Sequence, residues 1–335
     1  MTEIRNKSTP ILSICIPTFN RPINIYNLLS ILTSQIDSLN IEIIVTDNST
    51  NNETEKKIKA FQNQHENITY FKNEGNIGFA KSLKKAISLS NGNYIWTLSD
   101  DDIPNREAIS KIVNLISHDD IGWIFFNFER LEFDTKKPFF SKLISSGKRD
   151  LNDLISEFGV WTSFMSASIV NSKVKKHLNE VMENDYYAFS LALKAAELKG
   201  CSFSNYSLVL RSVDEFKKHR FNKIETYLFD FFQHIDILID EKKISYKTRN
   251  KLANQFFSGI ILMYLCKLKL NKCSLPSLKT IIRKHKGAIG LYYKVLPIYF
   301  MHRYLIKIMI ESLKAINLII RNNRIKRFTD FLSAN

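Results

Sequence analysis

The chain has 335 residues and a mass of 39.0 kDa, of which 44% are hydrophobic and 24% charged, ample apolar material for one large core or two smaller ones. Ten Gly and seven Pro argue against a collagen-like or low-complexity chain, and four Cys with no CxxC pair argue against a zinc ribbon or a disulfide framework. The net charge of +15 is unevenly spread: residues 216–335 hold 24 Lys and Arg against 7 Asp and Glu, while residues 1–215 hold 24 against 26. A near-neutral body with a basic end points away from a chain-wide nucleic-acid binder and towards a body held near an anionic surface. No apolar run appears before Ile11, so the start does not read as a signal peptide, and a reducing, cytoplasmic setting is expected.

In chain order, Ile11 to Ile16 is a β-rich run ending at Pro17. Pro22 then sits where a helix begins without losing a needed N–H, and Ile25, Leu28, Leu29 and Leu32 follow at helical spacing. Ile41 to Val45 is a second strand. Thr50 and Glu53 have capping-box spacing ahead of a polar helix. Ile68 to Phe71 is a third strand, Phe79 to Leu89 a helix stopped at Gly92, and Tyr94 to Leu98 a fourth strand. Residues 106–116 read as a helix, Trp123 to Phe128 as a strand, 185–199 as a helix ending at Gly200, and Ser207 to Arg211 as a last strand. Beyond about residue 221 strand signals stop and amphipathic helices follow, broken at Pro276 and Pro297. The expected division is therefore 1–220, an α/β domain, and 221–335, a basic helical domain.

Strands alternating with helices require right-handed crossovers, which build a mostly parallel sheet covered on both faces, with ligands beyond the strands' C-terminal ends. The residues at those ends are polar: Thr18, Asn20 and Arg21 after the first strand; Asp47 after the second; Asn76 and Gly78 after the third; Asp100, Asp101 and Asp102 after the fourth. Adjacent carboxylates raise one another's pKa unless a cation neutralises them. Either a solvated acidic turn capping the next helix or a Mg²⁺ or Mn²⁺ site completed by substrate phosphates satisfies that requirement. Asp47 either caps a helix or accepts from a uracil N3–H or a cytosine amine. Asn76 and Gly78 form either a simple turn or a close approach of a helix N-terminus to a ligand. Together the rim residues describe a nucleotide-diphosphate pocket with a metal.

The runs LSICIPTFNRP (Leu12 to Pro22), IEIIVTDNST (Ile41 to Thr50), NEGNIGFAKSLKKAI (Asn73 to Ile87) and GNYIWTLSDDDIP (Gly92 to Pro104) resemble the nucleotide-sugar half of family 2 glycosyltransferases of the GT-A fold. The likeness is to the subset of bacterial O-antigen and capsule enzymes that includes abequosyltransferase. It covers about 100 residues in order and thins beyond 130. The resemblance implies that Pro17, Thr18 and Asn20, with Arg21 beside them, line the nucleotide pocket, that Asp47 binds the base, and that Asn76 and Gly78 lie beside the nucleotide. It makes the Asp cluster the DXD element, although Ser99 stands where the family's first Asp is usual. Asp101 and Asp102 are then the expected ligands of Mn²⁺ or Mg²⁺, and Asp100 the ribose contact. The family's carboxylate base corresponds to Asp185, with Glu183 as alternate, in ENDYYAFSLALKAAELKG; a helix-capping role for Asp185 is the structural alternative.

Trp161, near Ser163 and Ser166, is either an acceptor-side aromatic or core. Arg211, His219 and Arg220 follow the last strand, where a basic segment can close over a diphosphate or simply be solvated. No uncharged stretch is longer than 15 residues, the length of Leu252 to Cys266, short of the ~20 that span a bilayer. The basic helical end suits anionic lipid at about 1 kcal/mol per cation, or packs as an ordinary helical domain. The resemblance further implies a nucleotide-sugar donor, a glycan acceptor on a polyprenyl diphosphate lipid, and a peripheral position on the cytoplasmic face of the inner membrane, with no nucleic-acid partner and with homo-oligomerisation possible. The rival reading is a non-catalytic nucleic-acid- or lipid-binding protein on a degenerate nucleotide fold. A nucleotidyltransferase ranks lower, because the turn after the first strand offers Arg21 as its single cation.

Overall fold

The computed structural model describes residues 9–36, 39–118, 120–132, 135–212, 230–258, 265, 296–302, 304 and 305. They fall into two compact units, the first holding the described residues up to 212 together with 230–248, the second those from 249 onward.

The first unit opens with β1 (Leu12–Thr18), α1 (Pro22–Thr33), β2 (Ile41–Asp47), α2 (Glu53–Gln62), β3 (Ile68–Lys72), α3 (Phe79–Leu89) and β4 (Tyr94–Thr97). All four strands pair in parallel, in the order β3-β2-β1-β4. Leu12, Ile14 and Ile16 of β1, and Ile43, Ile44 and Val45 of β2, are fully buried, as expected for strands covered on both faces. The first half of the chain thus has the expected α/β architecture. One local expectation is corrected. Thr50 and Glu53 form no capping box: Asn52 is the N-cap of α2 and makes no side-chain cap, while the Glu53 N–H donates to Asn51 Oδ1 at 3.0 Å. Thr50 is drawn instead to Asn20, whose Oδ1 accepts the Thr50 N–H at 3.1 Å.

The chain continues through β5 (Ile103–Pro104), α4 (Ala108–His118), β6 (Trp123–Phe126), β7 (Glu129–Glu132), β8 (Thr135–Pro138), β9 (Gly147–Arg149), α5 (Leu151–Phe158), β10 (Ser168–Asn171), α6 (Tyr187–Lys199), β11 (Cys201–Ser204) and β12 (Val209–Leu210). The main sheet is completed in the order β4-β10-β6-β11-β9. β10 runs antiparallel to both neighbours and joins the two halves. A second sheet has the order β5-β12-β7-β8. The last expected strand is therefore shorter than its apolar pattern suggests, because Asn105 binds the Ser207 and Leu208 carbonyls and leaves only Val209 and Leu210 to pair.

Trp96, Trp123, Phe125, Phe126, Phe158 and Phe203 are buried in and around the β4-to-β11 half, each contributing about 1.5–3 kcal/mol. Both indoles find partners, Trp96 donating to the Ser166 carbonyl at 2.9 Å and Trp123 to Ser168 Oγ at 3.2 Å. Two further helices, α7 (Phe231–Asp240) and α8 (Tyr246–Ser258), follow, and Leu296–Phe300 is helical with Pro297 in its first turn. Among the described residues no helix is long and apolar enough to cross a membrane.

Candidate active site

The C-terminal ends of β1, β2 and β4 lie side by side, since Thr18 pairs with Asp47 in the ladder and the Leu98 N–H donates to the Cys15 carbonyl. The chain must turn sharply past each end. After β1 it does so through Asn20 in the left-handed region (φ 53°), a conformation that Asn tolerates better than most residues. Its N–H donates to Ser49 Oγ at 2.8 Å, tying the first rim turn to the second.

The acidic cluster follows β4. Asp100 and Asp102 are 3% and 4% exposed, whereas the Asp101 side chain is 19% exposed. Asp100 accepts from Thr18 Oγ1 and from the Arg21 guanidinium, both at 2.6 Å, and Arg21 also reaches Asp101 at 3.5 Å. Asp102 accepts from Ser166 Oγ at 2.6 Å and from the Ser212 N–H at 2.9 Å. Asp101 accepts from Ser99 Oγ at 2.5 Å. Burial pushes Asp100 up to about 6, against the pull of Arg21, and pushes Asp102 up to about 7, with the Asp101 charge adding to the rise. The hydrogen bonds hold the three carboxylates in place without supplying enough positive charge for all of them.

A divalent cation fits this donor set. Each carboxylate oxygen has two acceptor positions, so Asp102 keeps room for a ligand beyond its two hydrogen bonds, and Asp101 is the most exposed of the three. Among the described residues no group of three or more His, Cys, Asp or Glu is gathered to hold a metal alone. A Mg²⁺ or Mn²⁺ ion there would be held by one or two carboxylates and completed by substrate phosphates.

On the neighbouring rim, Asp47 is fully buried. Its Oδ1 accepts the Ser49 N–H at 2.7 Å and its Oδ2 the Tyr70 hydroxyl at 2.9 Å. Burial and the Asp47 charge both raise the Tyr70 pKa, which keeps that hydroxyl a donor. Asn76 Oδ1 accepts the Gly78 N–H at 3.0 Å, and Gly78, at φ 87°, leads into α3 with the Asn48 side-chain amide on its carbonyl. Pro17 lies in β1 opposite Thr46.

Arg211 leaves β12 with its N–H on the Glu129 carbonyl, and its guanidinium lies 4.8 Å from the centre of the Trp161 ring. Trp161 also packs on Phe139 and Phe128, so it is half-buried within an aromatic cluster. The Arg211 charge reaches Asp102 and lowers its pKa. The structure therefore brings Arg211, Trp161 and the acidic cluster into one neighbourhood. Glu183 and Asp185 are on the exposed turn before α6, with Glu183 ion-paired to Lys84 of α3. His219 and Arg220 lie outside the described residues, as do most of the C-terminal cations.

Some partners carry little sequence signal. Ser166 stands beside Trp161 in sequence, yet its hydroxyl bridges the Ser99 N–H and Asp102. Ser212 reaches Asp102 through its backbone N–H, which no side-chain pattern reveals.

The sheet order and rim define a GT-A glycosyltransferase fold, and comparison with known proteins agrees. Residues 13–173 match the family described as glycosyl transferase family 2 and form a domain of that family. The abequosyltransferase RfbV of Salmonella typhimurium is 32% identical over 102 residues, 30% of this chain and 31% of that protein; this chain thus matches about a third of its relative's length. Among solved structures, S. aureus TarS 1–349 in complex with UDP-GlcNAc superposes with a TM-score of 0.52 at 14% identity, covering 84% of this chain and 91% of that 1–349 chain. The mannosyltransferase PcManGT of Pyrobaculum calidifontis, in complex with GDP-Man and Mn²⁺, gives 0.50 at 14% identity over 93% and 81%. These likenesses concern the fold.

Proposed function

We propose that the protein transfers a sugar from a nucleotide-sugar donor to a glycan acceptor in bacterial surface polysaccharide assembly. The observation that carries this reading is the acidic cluster at the end of β4: two buried carboxylates with raised pKa, the more exposed Asp101, and Thr18, Arg21, Ser166 and Ser212 fixing them. The match to the family model and the likeness to a relative named abequosyltransferase support it.

In this reading Asp47 receives the base, Pro17, Thr18, Asn20 and Arg21 line the nucleotide side, and Asn76 and Gly78 flank it. Asp100 faces the ribose. Asp101 and Asp102 would hold Mn²⁺ or Mg²⁺, which when bound neutralises charge on the diphosphate. Arg211, with His219 and Arg220, supplies further positive charge for that diphosphate, and Trp161 faces the acceptor sugar. Asp185, with Glu183 as alternate, takes the proton from the acceptor hydroxyl as its oxygen bonds to the anomeric carbon. The bond from that carbon to the phosphate oxygen breaks, and the nucleoside diphosphate leaves with the electron pair. Attack opposite the leaving group inverts the anomeric centre.

Calorimetry with UDP, CDP, dTDP and GDP, with and without Mn²⁺, tests the pocket. One nucleotide should bind more tightly with Mn²⁺, and Asp101→Ala should remove that dependence while the fold stays intact. Binding of none of the four, in either condition, sinks the proposal.

The excess of cations in residues 216–335 supports a place on an anionic membrane carrying a polyprenyl diphosphate-linked acceptor. Co-sedimentation should then be strong with vesicles containing phosphatidylglycerol, weak with pure phosphatidylcholine, and lost at 0.5 M NaCl. Equal binding to both vesicle types refutes a charge-driven attachment.

A further inference from the structure

The turn carrying the two candidate base carboxylates is held by a residue far along the chain. His234, on α7, is 3% exposed. Its Nε2 lies 3.2 Å from Asn184 Oδ1 and its Nδ1 3.3 Å from Ser190 Oγ. Asn184 Oδ1 also accepts the Tyr186 N–H at 2.9 Å, and Ser190 Oγ accepts the Met182 N–H at 3.3 Å. The Asn184 carbonyl and the Tyr186 carbonyl then accept the first N–H groups of α6, from Tyr187 at 3.0 Å and Ser190 at 2.9 Å.

These bonds fix the direction of each proton. The Tyr186 N–H requires an oxygen at Asn184 Oδ1, so the histidine proton sits on Nε2 and points at that oxygen. Nδ1 is then an acceptor and takes the Ser190 hydroxyl proton, leaving Ser190 Oγ to accept from Met182. Burial lowers the His234 pKa to about 4, so the ring is neutral near pH 7, as one donor and one acceptor nitrogen require. Phe189 stacks on Phe231 and meets the His234 ring edge-on, fixing α7 against α6.

We infer that His234 is a positioning residue: through Asn184 and Ser190 it closes both ends of the turn from Met182 to Tyr186 and so sets where Glu183 and Asp185 stand. The inference rests on one of those carboxylates being the base. A short polar turn before a helix leaves its N–H groups unsatisfied unless side chains take them up. Here the N-cap, Tyr186, makes no side-chain cap, so Asn184 and Ser190 serve instead, and His234 holds both in orientation.

The test compares His234→Ala with His234→Gln, which keeps a donor N–H at the Nε2 position and an acceptor oxygen for Ser190. Hydrogen exchange of the segment 182–187 should accelerate roughly tenfold in the Ala variant and stay near wild type in the Gln variant, with α3 and α6 protection retained. With the nucleotide sugar that matches the calorimetric winner, kcat should fall about 10- to 100-fold in His234→Ala with donor KM within about twofold, and Gln should recover most of it. If His234→Ala fails to fold, Ser190→Ala removes one link alone and should show the same pattern more weakly. Wild-type exchange in the Ala variant overturns the clamp, and faster exchange with unchanged kcat overturns its positioning role. Wild-type turnover in both Asp185→Asn and Glu183→Gln overturns the base reading, a result independent of the exchange data.

Discussion

Asp102→Asn should lower sugar transfer about 10²- to 10³-fold, the range expected when one preorganised charge at a reacting diphosphate is lost. It should do so without unfolding the protein. Asn keeps an acceptor oxygen for one of the two donors, Ser166 Oγ and the Ser212 N–H, and it removes a charge whose burial is unfavourable. That second effect gives the substitution a pH signature. Asp102 titrates near 7 in the folded protein, against about 3.9 for a free carboxylate. The folded state therefore binds the proton more tightly than the unfolded chain. Its contribution to stability is full below about pH 4 and is lost as pH rises towards 7. His234, with its depressed pKa, has the opposite slope between about 4 and 6.5, so the informative quantity is the difference between wild type and variant. In metal-free buffer, Asp102→Asn should gain thermal stability relative to wild type as pH rises from 4 to 7, and Mn²⁺ should raise the melting temperature of wild type more at pH 7.5 than at pH 5.5. A difference that is flat with pH, or transfer that survives the substitution, refutes the assignment.

The largest stability effect is expected from Gly122→Ala. Gly122 precedes β6 where α6 crosses it. A Cβ there would fall 2.6 Å from the Ala195 carbonyl carbon, closer still to its oxygen, and 3.0 Å from the Gly200 oxygen. Those atoms are backbone, so no rotamer change relieves the overlap. The Gly122 carbonyl and N–H are also engaged, with the Asn171 N–H and the Lys199 carbonyl. Overpacking costs typically 1–3 kcal/mol and more when backbone must move, so a loss of about 3 kcal/mol is expected, or roughly 6–12 °C in melting temperature. Melting unchanged within 2 °C by calorimetry would show that α6 is free to shift. Because α6 begins at the turn bearing Glu183 and Asp185, Gly122→Ala should reduce kcat more than nucleotide affinity.

The first half of the fold is legible in sequence because its strands are apolar runs separated by helices of ordinary length. Leu12–Thr18, Ile41–Asp47 and Tyr94–Thr97 announce themselves by composition. Of the later strands Trp123–Phe126 does so as well, but two others do not. Ser168–Asn171 is four residues long between two 3₁₀ turns, and Cys201–Ser204 alternates with serine, so tertiary pairing rather than local pattern makes them strands. The second sheet is built from strands of two to four residues, below the length at which periodicity carries information. For the site, the carboxylates were visible as a triplet after a core strand. Of their donors, Thr18 and Arg21 stand out on the first rim turn, whereas Ser166 and Ser212 are ordinary residues until the fold places them. The misjudged Thr50 follows the same logic, since Asn20, thirty residues earlier, competes for it.

The insertion of β10 between β4 and β6 has a consequence for how the protein matures. Asp102 meets Ser166 across 64 residues and Ser212 across 110, and Thr18 meets Asp100 across 82. Contacts of such separation bear a loop-closure entropy that local helices and hairpins do not, and they close late. A nascent chain that has laid down β1 to β4 and the turn beyond already holds all three aspartates, yet it lacks the hydroxyl and the amide that orient Asp102. The orientation of Asp102 is thus deferred until both halves of the sheet have joined, so an incompletely folded chain carries the triplet without its native geometry.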